Sequence, residues 1–122
     1  MSTIHSYRDL TVWQKAMELV VEVYTVTKRL PSSELYGLIS QMRRSAVSIP
    51  SNIAEGRRRM SRADFIHFLS IAYSSGAELE TQIEICKKLS LVTNEECKEL
   101  DAVLLEVMKL MNRIISSLRQ TS

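Results

Sequence analysis

Apolar residues recur at alternating steps of three and four along most of the chain, and this period most limits the possible folds. Long stretches carry it without interruption, because the 122 residues include only three glycines and two prolines. A helix that faces one partner shows this spacing, whereas a half-buried strand alternates every second residue. The chain is therefore predicted to be all-α, and its length fits one domain spanning residues 1–122.

Four helices are predicted from the period, over about residues 9–29, 33–59, 61–90 and 94–119. Two of them begin with the spacing of an N-terminal capping box, Ser61 with Asp64 and Thr93 with Glu96. The connections between the four segments are short, so that consecutive helices run antiparallel. The predicted architecture is an up-down-up-down four-helix bundle.

The second helix contains a proline that does not interrupt its apolar phase. Apolar residues on both sides of Pro50 fall within an arc of about 80° at 100° per residue; they are Leu35, Leu38, Met42, Ala46, Ile49 and Ile53. We predict one helix bent at Pro50, where the ring removes a backbone hydrogen bond and crowds the carbonyl of Ala46. The alternative is two helices, with Asn52 capping the second through Glu55.

The first helix has two apolar seams, about 110° apart. The first seam comprises Leu10, Trp13, Met17, Val20, Tyr24 and Thr27, and the second comprises Val12, Ala16, Leu19, Val23 and Val26. We assign the first seam to the bundle core. One core needs an arc of only about 100°, and the fourth helix is similarly wide. The surplus predicts a homo-oligomer, because an apolar patch of that size left in water promotes aggregation.

Positive charge is concentrated in the stretch RRSAVSIPSNIAEGRRRMSR at residues 43–62. It carries Arg43, Arg44, Arg57, Arg58, Arg59 and Arg62 against the single acid Glu55. On a continuous helix Arg43, Arg44, Arg57 and Arg58 share one side, in two clusters roughly 20 Å apart at 1.5 Å per residue. These six arginines are the candidate nucleic-acid contacts.

Small and uncharged residues separate the two arginine clusters on that same side of the second helix. They permit close approach of another chain, so that we predict an oligomer interface formed by Val12, Ala16, Leu19 and Val23 together with Val47, Pro50, Ser51 and Ala54. An ordinary exposed face with few charges is the alternative explanation for the second group.

Catalytic and metal chemistry find little support in the sequence. Neither His5 nor His67 has a glutamate three residues before it, as di-iron bundles require, and phosphate loops and nucleophile elbows are absent. Cys86 and Cys97 lack a CxxC partner and are expected to be buried, reduced thiols. We predict a non-enzyme without metal or cofactor. The sequence also lacks an apolar run long enough for a membrane span and lacks a signal peptide, so that a cytoplasmic location is expected.

Several segments of the chain closely resemble one protein family. They are DLTVWQKA at residues 9–16, YGL at 36–38, QMRRSAVSIPSNIAEGRRR at 41–59 and FLSIAYSSGAELETQ at 68–82. Together they resemble the four-helix-bundle proteins encoded by intervening sequences inside bacterial large-subunit ribosomal RNA genes. Arg43, Arg44, Pro50, Asn52, Glu55 and Gly56 match the family's middle motif, whereas Ser74 stands where a glycine is usual.

The resemblance implies an assembly and a class of partner. Members of the family look like compact bundles that assemble as barrel-shaped homopentamers. A relative, the accessory variability protein of diversity-generating retroelements, binds a reverse transcriptase and nucleic acid through a basic pentamer surface. That relative looks considerably more basic than this chain.

Two functions follow from these observations. In the first, a ring of subunits multiplies the arginines into a dense patch that binds the RNA or other nucleic-acid backbone by counterion release. Such binding would be weakly sequence-specific, because exposed stacking aromatics are not evident near the arginines. In the second, the protein is a scaffold for itself or for another protein, and the arginines pair across subunits with acids such as Glu78, Glu80 or Glu84.

Overall fold

The computed structural model describes residues 6–120, and within them it contains helices and connections but no strand. The helices are α1 (Thr11–Thr27), α2 (Ser40–Arg58), α3 (Arg62–Lys88) and α4 (Lys98–Gln120). The prediction of an all-α chain is confirmed. Residues 1–5 and 121–122 of the predicted domain lie outside the described residues.

Each helix packs against its neighbours in sequence, and α1 also packs against α4, so that the four helices form one closed bundle. Connections as short as residues 59–61 reverse the chain direction between neighbours. The predicted four-helix bundle is therefore correct. The most extensive contact is between α2 and α3, the two helices that carry five of the six candidate arginines.

The predicted second helix is interrupted, but not at its proline. The segment begins as a 3₁₀ turn at Ser32–Glu34 and continues as a π-helical turn at Leu35–Ile39, with non-helical dihedrals at Gly37 (φ −109°, ψ −111°). Regular α-helix begins only at Ser40. The prediction of continuous helix from residue 33 was wrong, because glycine tolerates a conformation that ends the regular hydrogen-bond pattern.

The helix does continue through Pro50, which excludes the alternative of two helices joined there. Two side chains next to the proline bond to carbonyls one turn back: Ser51 Oγ donates to Val47 O at 2.7 Å, and Asn52 Nδ2 donates to Ser48 O at 2.8 Å. Both bonds go to the two carbonyls that follow that of Ala46, the one that loses its usual donor at Pro50, and back-bonding of this kind tends to bend a helix.

Both predicted capping residues form hydrogen bonds, but only one of them stands directly before a helix. Ser61 Oγ accepts from the backbone N–H of Asp64 at 3.0 Å and begins α3. Thr93 and Glu96 bond reciprocally, as a box requires. Residues 94–97 nevertheless form a turn, so that α4 begins at Lys98 rather than at 94.

The two seams of α1 were assigned the wrong way round, although Thr27 of the first seam is buried as predicted. Val12, Ala16, Leu19 and Val23 are at most 2% exposed and lie in the core of the single chain, which excludes them from an oligomer interface. Met17 and Tyr24, assigned to the core, are 43% and 38% exposed. Aliphatic side chains can fill the core because they have no polar atom, whereas a buried Tyr or Trp needs a hydrogen-bond partner.

Both cysteines are buried and unpaired, as predicted. Burial raises the pKa of Cys86 and of Cys97 above that of a free thiol. Both thiols therefore stay protonated near neutral pH and act as core residues. Within residues 6–120, no helix combines the length and apolarity needed to cross a bilayer.

Candidate functional site

The six arginines lie in two places. Arg43 and Arg44 are in the first half of α2, and the other four are near its C-terminal end. Arg57 and Arg58 form the last turn of α2, where the helix dipole favours cations, and Arg62 is the first residue of α3. Between them the backbone turns at Met60, which has a left-handed φ of 67°. This tight reversal brings arginines from two helices to the same end of the bundle.

Arg43 is held against α1. Its Nε donates to Thr27 Oγ1 at 2.9 Å, and its guanidinium lies 4.3 Å from the centre of the Tyr24 ring. Thr27 Oγ1 in turn donates to the carbonyl of Val23 at 2.7 Å. Arg43 is half-buried and joins α2 to α1, so that its charge is less available to a ligand than those of the other arginines.

Arg59 has a weak intrahelical partner. Its Nε lies 3.1 Å from Glu55 Oε2, one turn earlier, and its guanidinium lies 5.2 Å from the centre of the Phe68 ring. Both members of the ion pair are about half exposed, and such pairs contribute only a few tenths of a kcal/mol, about 0.3–0.5. A phosphate can compete for this arginine.

The remaining four arginines have no carboxylate within ion-pair distance in the part of the chain that the structure describes; they are Arg44, Arg57, Arg58 and Arg62. Elsewhere in the described chain, Arg29 pairs with Glu96 at 3.0 Å and Lys87 with Asp101 at 2.7 Å, whereas single cations such as Lys28 and Arg119 form no ion pair. What distinguishes residues 43–62 is the local excess of positive charge, with six arginines against the single acid Glu55.

A groove beside this charge brings an aromatic side chain to the arginines. The basic groove, as we name it, has a volume of about 400 Å³ and is lined by Ser6, Tyr7, Arg57, Arg58 and Met60. The Arg58 guanidinium lies 5.7 Å from the centre of the Tyr7 ring. Tyr7 also packs edge-on against Trp13, with ring centres 5.2 Å apart.

The structure thus brings one partly buried aromatic ring, that of Tyr7, to the arginines, a neighbour that the sequence pattern did not indicate. Tyr7 and Arg58 are far apart in the sequence, and only the antiparallel packing of α1 on α2 brings them together. Tyr7 is positioned by a 3₁₀ turn in which Ser6 Oγ accepts from Arg8 N–H and Asp9 accepts from Ser6 N–H. The Ser-x-x-Asp spacing was the available signal for this turn.

A second groove, the apolar groove, runs between α1 and α2 from the same tyrosine. It has a volume of about 330 Å³ and is lined by Tyr7, Trp13, Met17, Val20, Val47, Pro50, Ser51 and Ala54. The four α2 residues predicted for an oligomer interface all line it. Val47 is 42% exposed and Pro50 is buried. Their counterparts on α1 belong to the first seam rather than to the predicted second one.

A polar cleft lies on the other side of α2, against α3. It has a volume of about 370 Å³ and is lined by Gln41, Arg44, Ser45, Ser48, Ser75, Glu78 and Gln82. Ser48 Oγ and Ser75 Oγ share a hydrogen bond of 2.9 Å, and Asn52 Nδ2 donates to Ser48 Oγ at 2.9 Å. Ser48 of α2 thus makes a polar contact with α3 that the sequence pattern did not indicate.

The fold and these surfaces define a class of protein: a helical bundle with an arginine-rich end and no cluster of metal-ligating side chains among residues 6–120. The chain belongs to the 23S rRNA-intervening sequence protein family, whose model matches residues 8–113. This membership confirms the resemblance drawn from the sequence motifs.

A solved structure supports the same assignment. The chain is similar to a protein of unknown function from the S23 ribosomal protein family of Bacteroides thetaiotaomicron VPI-5482, with 31% sequence identity and a TM-score of 0.79. The similarity covers 86% of this chain and 98% of that one. The comparison with curated proteins found no match.

Proposed function

We propose that this protein is a non-enzymatic homo-oligomer whose arginine surface binds the phosphate backbone of RNA. The observation that carries the proposal is a group of four arginines within residues 43–62 that form no ion pair with a carboxylate of residues 6–120: Arg44, Arg57, Arg58 and Arg62. Three of these lie at one end of the bundle, where α2 ends and α3 begins. Guanidinium groups suit this task because their planar forks bind phosphate in two-point contacts.

Self-association would multiply this charge. The apolar groove leaves Met17 and Val47 partly exposed, and it adjoins the arginine end of the bundle through Tyr7. A second exposed groove lies on α4 and is lined by Ala102, Leu105, Glu106, Lys109, Leu110 and Arg113. A cyclic ring needs two different surfaces that complement each other, and the family resemblance favours five subunits.

The test is fluorescence anisotropy with a labelled structured RNA at low salt. In the triple variant Arg57→Ala, Arg58→Ala, Arg62→Ala, we expect affinity to fall at least about tenfold, because several phosphate contacts are lost. The matched control removes the same charge from other surfaces, with Lys28→Ala, Lys98→Ala and Arg119→Ala. Equal losses in both variants would show a general charge effect and would contradict the proposed site, as would the absence of binding to the unmodified protein.

A second candidate function is a structural ring without nucleic acid. It is favoured by the polar cleft, where Arg44 and Glu78 line one surface yet form no ion pair within the described chain. Across a subunit contact, Arg44 of one copy would pair with Glu78 of the next. In this case Glu78→Arg disrupts the oligomer, and adding Arg44→Glu restores it, as sedimentation would measure.

A further inference from the structure

We infer that the basic groove takes a base of single-stranded RNA, which stacks on Tyr7 while Arg57 and Arg58 contact the adjoining phosphates. This inference rests on the proposed function and makes it more specific, since phosphate contacts alone do not distinguish a single strand from a duplex. The groove combines cations with an aromatic ring, as sites for single strands do.

The geometry of Tyr7 supports a stacking role. The Arg8 and Arg58 guanidiniums lie 5.6 and 5.7 Å from the centre of its ring, farther than the 4.3 Å that separates Arg43 from the Tyr24 ring. These looser contacts leave arginines that a base can displace, or against whose planes it can stack. Each displaced guanidinium stays beside the base, where the next phosphate of the strand would lie.

The other groups around the groove suit a neutral base beside an anionic backbone. Met60 is 90% exposed and lines the groove with an apolar, polarisable side chain. The acid in this turn, Asp9, accepts a hydrogen bond from the backbone N–H of Ser6. Among residues 6–120, no carboxylate lines the groove, so that no negatively charged lining residue repels a phosphate there.

A duplex cannot use this site in the same way. Its bases are paired and stacked on one another, so that a protein reaches its phosphates and groove edges but not a base face. We therefore expect single-stranded and duplex RNA to share the arginine contacts and to differ at Tyr7.

Trp13 provides a local readout, because it is the only tryptophan of the chain and its ring centre lies 5.2 Å from that of Tyr7. The experiment titrates the intact protein with a single-stranded RNA and with a duplex of equal length, and follows Trp13 fluorescence and anisotropy together. We expect the single strand to quench Trp13 and to bind more tightly than the duplex.

Substitutions at Tyr7 test the stacking directly. Tyr7→Leu keeps an apolar side chain and should weaken single-strand binding about tenfold, with little change for the duplex. Tyr7→Phe keeps the ring and should retain the affinity, which also shows that substitution at this position does not unfold the turn. Tyr73→Leu, at a half-exposed tyrosine of α3, is the matched control and should change neither affinity.

The outcomes distinguish a failure of the stacking site from a failure of the proposed phosphate binding. Equal binding of both RNAs, without an effect of Tyr7→Leu, would overturn the stacking site and leave phosphate binding by the arginines intact. Loss of affinity for both RNAs in Tyr7→Leu and Tyr7→Phe alike would also overturn it, because the ring would then act only as a structural support. Failure of either RNA to bind would overturn both proposals.

Discussion

Gly56 is a point of close approach between α2 and α3. A Cβ placed there would lie 2.7 Å from Phe68 Cβ and 3.2 Å from Phe65 Cδ1. Phe68 Cβ is fixed to the α3 backbone, so that relief would require the two helices to separate. The arginine-bearing end of α2 depends on this contact, because Arg57 directly follows the glycine.

We predict that Gly56→Ala destabilises the fold by about 1–3 kcal/mol, the usual cost of overpacking. The overlap should outweigh the helix propensity gained from alanine, which is about 1 kcal/mol. Urea unfolding followed by circular dichroism measures the change. A variant as stable as the unmodified protein would contradict the close packing at this position.

Gly76→Ala is the matched comparison at the residue scale. A Cβ at Gly76 would overlap the thioether of Met108. That group is the far end of a flexible side chain and can rotate away. We therefore predict a smaller loss than at Gly56, under about 1 kcal/mol, in the same unfolding experiment. A larger loss at Gly76 than at Gly56 would show that the Met108 side chain is locked in place.

At the scale of the element, α3 ends in a Schellman motif with serine in the left-handed position. Leu91 N–H donates to Cys86 O at 2.9 Å, Ser90 N–H donates to Lys87 O at 3.0 Å, and Ser90 has a φ of 59°. Glycine adopts this conformation without the steric cost borne by other residues.

Ser90→Gly should therefore stabilise the protein by about 1 kcal/mol. Ser90→Val, which adds a branched Cβ at the same position, should destabilise it. Thermal unfolding measures both changes. Two variants that shift the midpoint in the same direction would contradict the left-handed cap.

The turn before α4 carries a carboxylate whose charge contributes to stability. The backbone N–H of Thr93 donates to Glu96 at 2.9 Å and, with Arg29 at 3.0 Å, holds the pKa of Glu96 below its ordinary value of 4.5. A lowered folded-state pKa gives stability that is present above the unfolded-state pKa and is lost as pH falls through the folded one.

Glu96→Gln should accordingly lower the melting temperature at pH 7, and its difference from the unmodified protein should shrink as the pH falls below about 4. Glu95→Gln is the control, since the Glu95 side chain forms no hydrogen bond or ion pair with residues 6–120. A Glu96 effect that stays the same from pH 7 to pH 3 would show that the carboxylate charge is not involved.

How much the sequence could predict differed from helix to helix. In α3, apolar residues that recur at steps of three and four, such as Leu69, Leu79 and Ile83, are buried as this period indicates. In α1 two seams are similarly apolar, so that periodicity could not decide which faces the core. Packing against α2 and α4 decides which seam of α1 is buried. The polar atoms of Trp13 and Tyr24 favour a position at the edge of the core for the other seam.

At the scale of the whole molecule, the candidate site depends on helix pairing that no local pattern encodes. The arginine cluster and the small residues of α2 were visible in the sequence, but their neighbours Tyr7 and Met17 come from the N-terminal part of the chain. The reversed α1 seams also moved the predicted interface from Val12, Ala16, Leu19 and Val23 to the exposed residues of the apolar groove.

The oligomer proposal makes a prediction for that groove. Met17→Asp places a charge on a half-exposed residue, and we expect the molar mass from light scattering to fall toward that of a single chain while the helical circular dichroism spectrum is retained. Leu89→Asp is the control, at an exposed leucine outside the groove. Unchanged mass in Met17→Asp would contradict an interface at the apolar groove.

The central claim, that the arginines bind phosphates, is tested most directly by the salt dependence of RNA affinity. Counterion release makes the logarithm of the association constant fall linearly with the logarithm of salt concentration, with a slope set by the number of phosphates contacted. We predict a steep slope for the unmodified protein and a clearly shallower one for the Arg57→Ala, Arg58→Ala, Arg62→Ala variant. An affinity that does not change between low and physiological salt, or an equal slope in the variant, would contradict the claim.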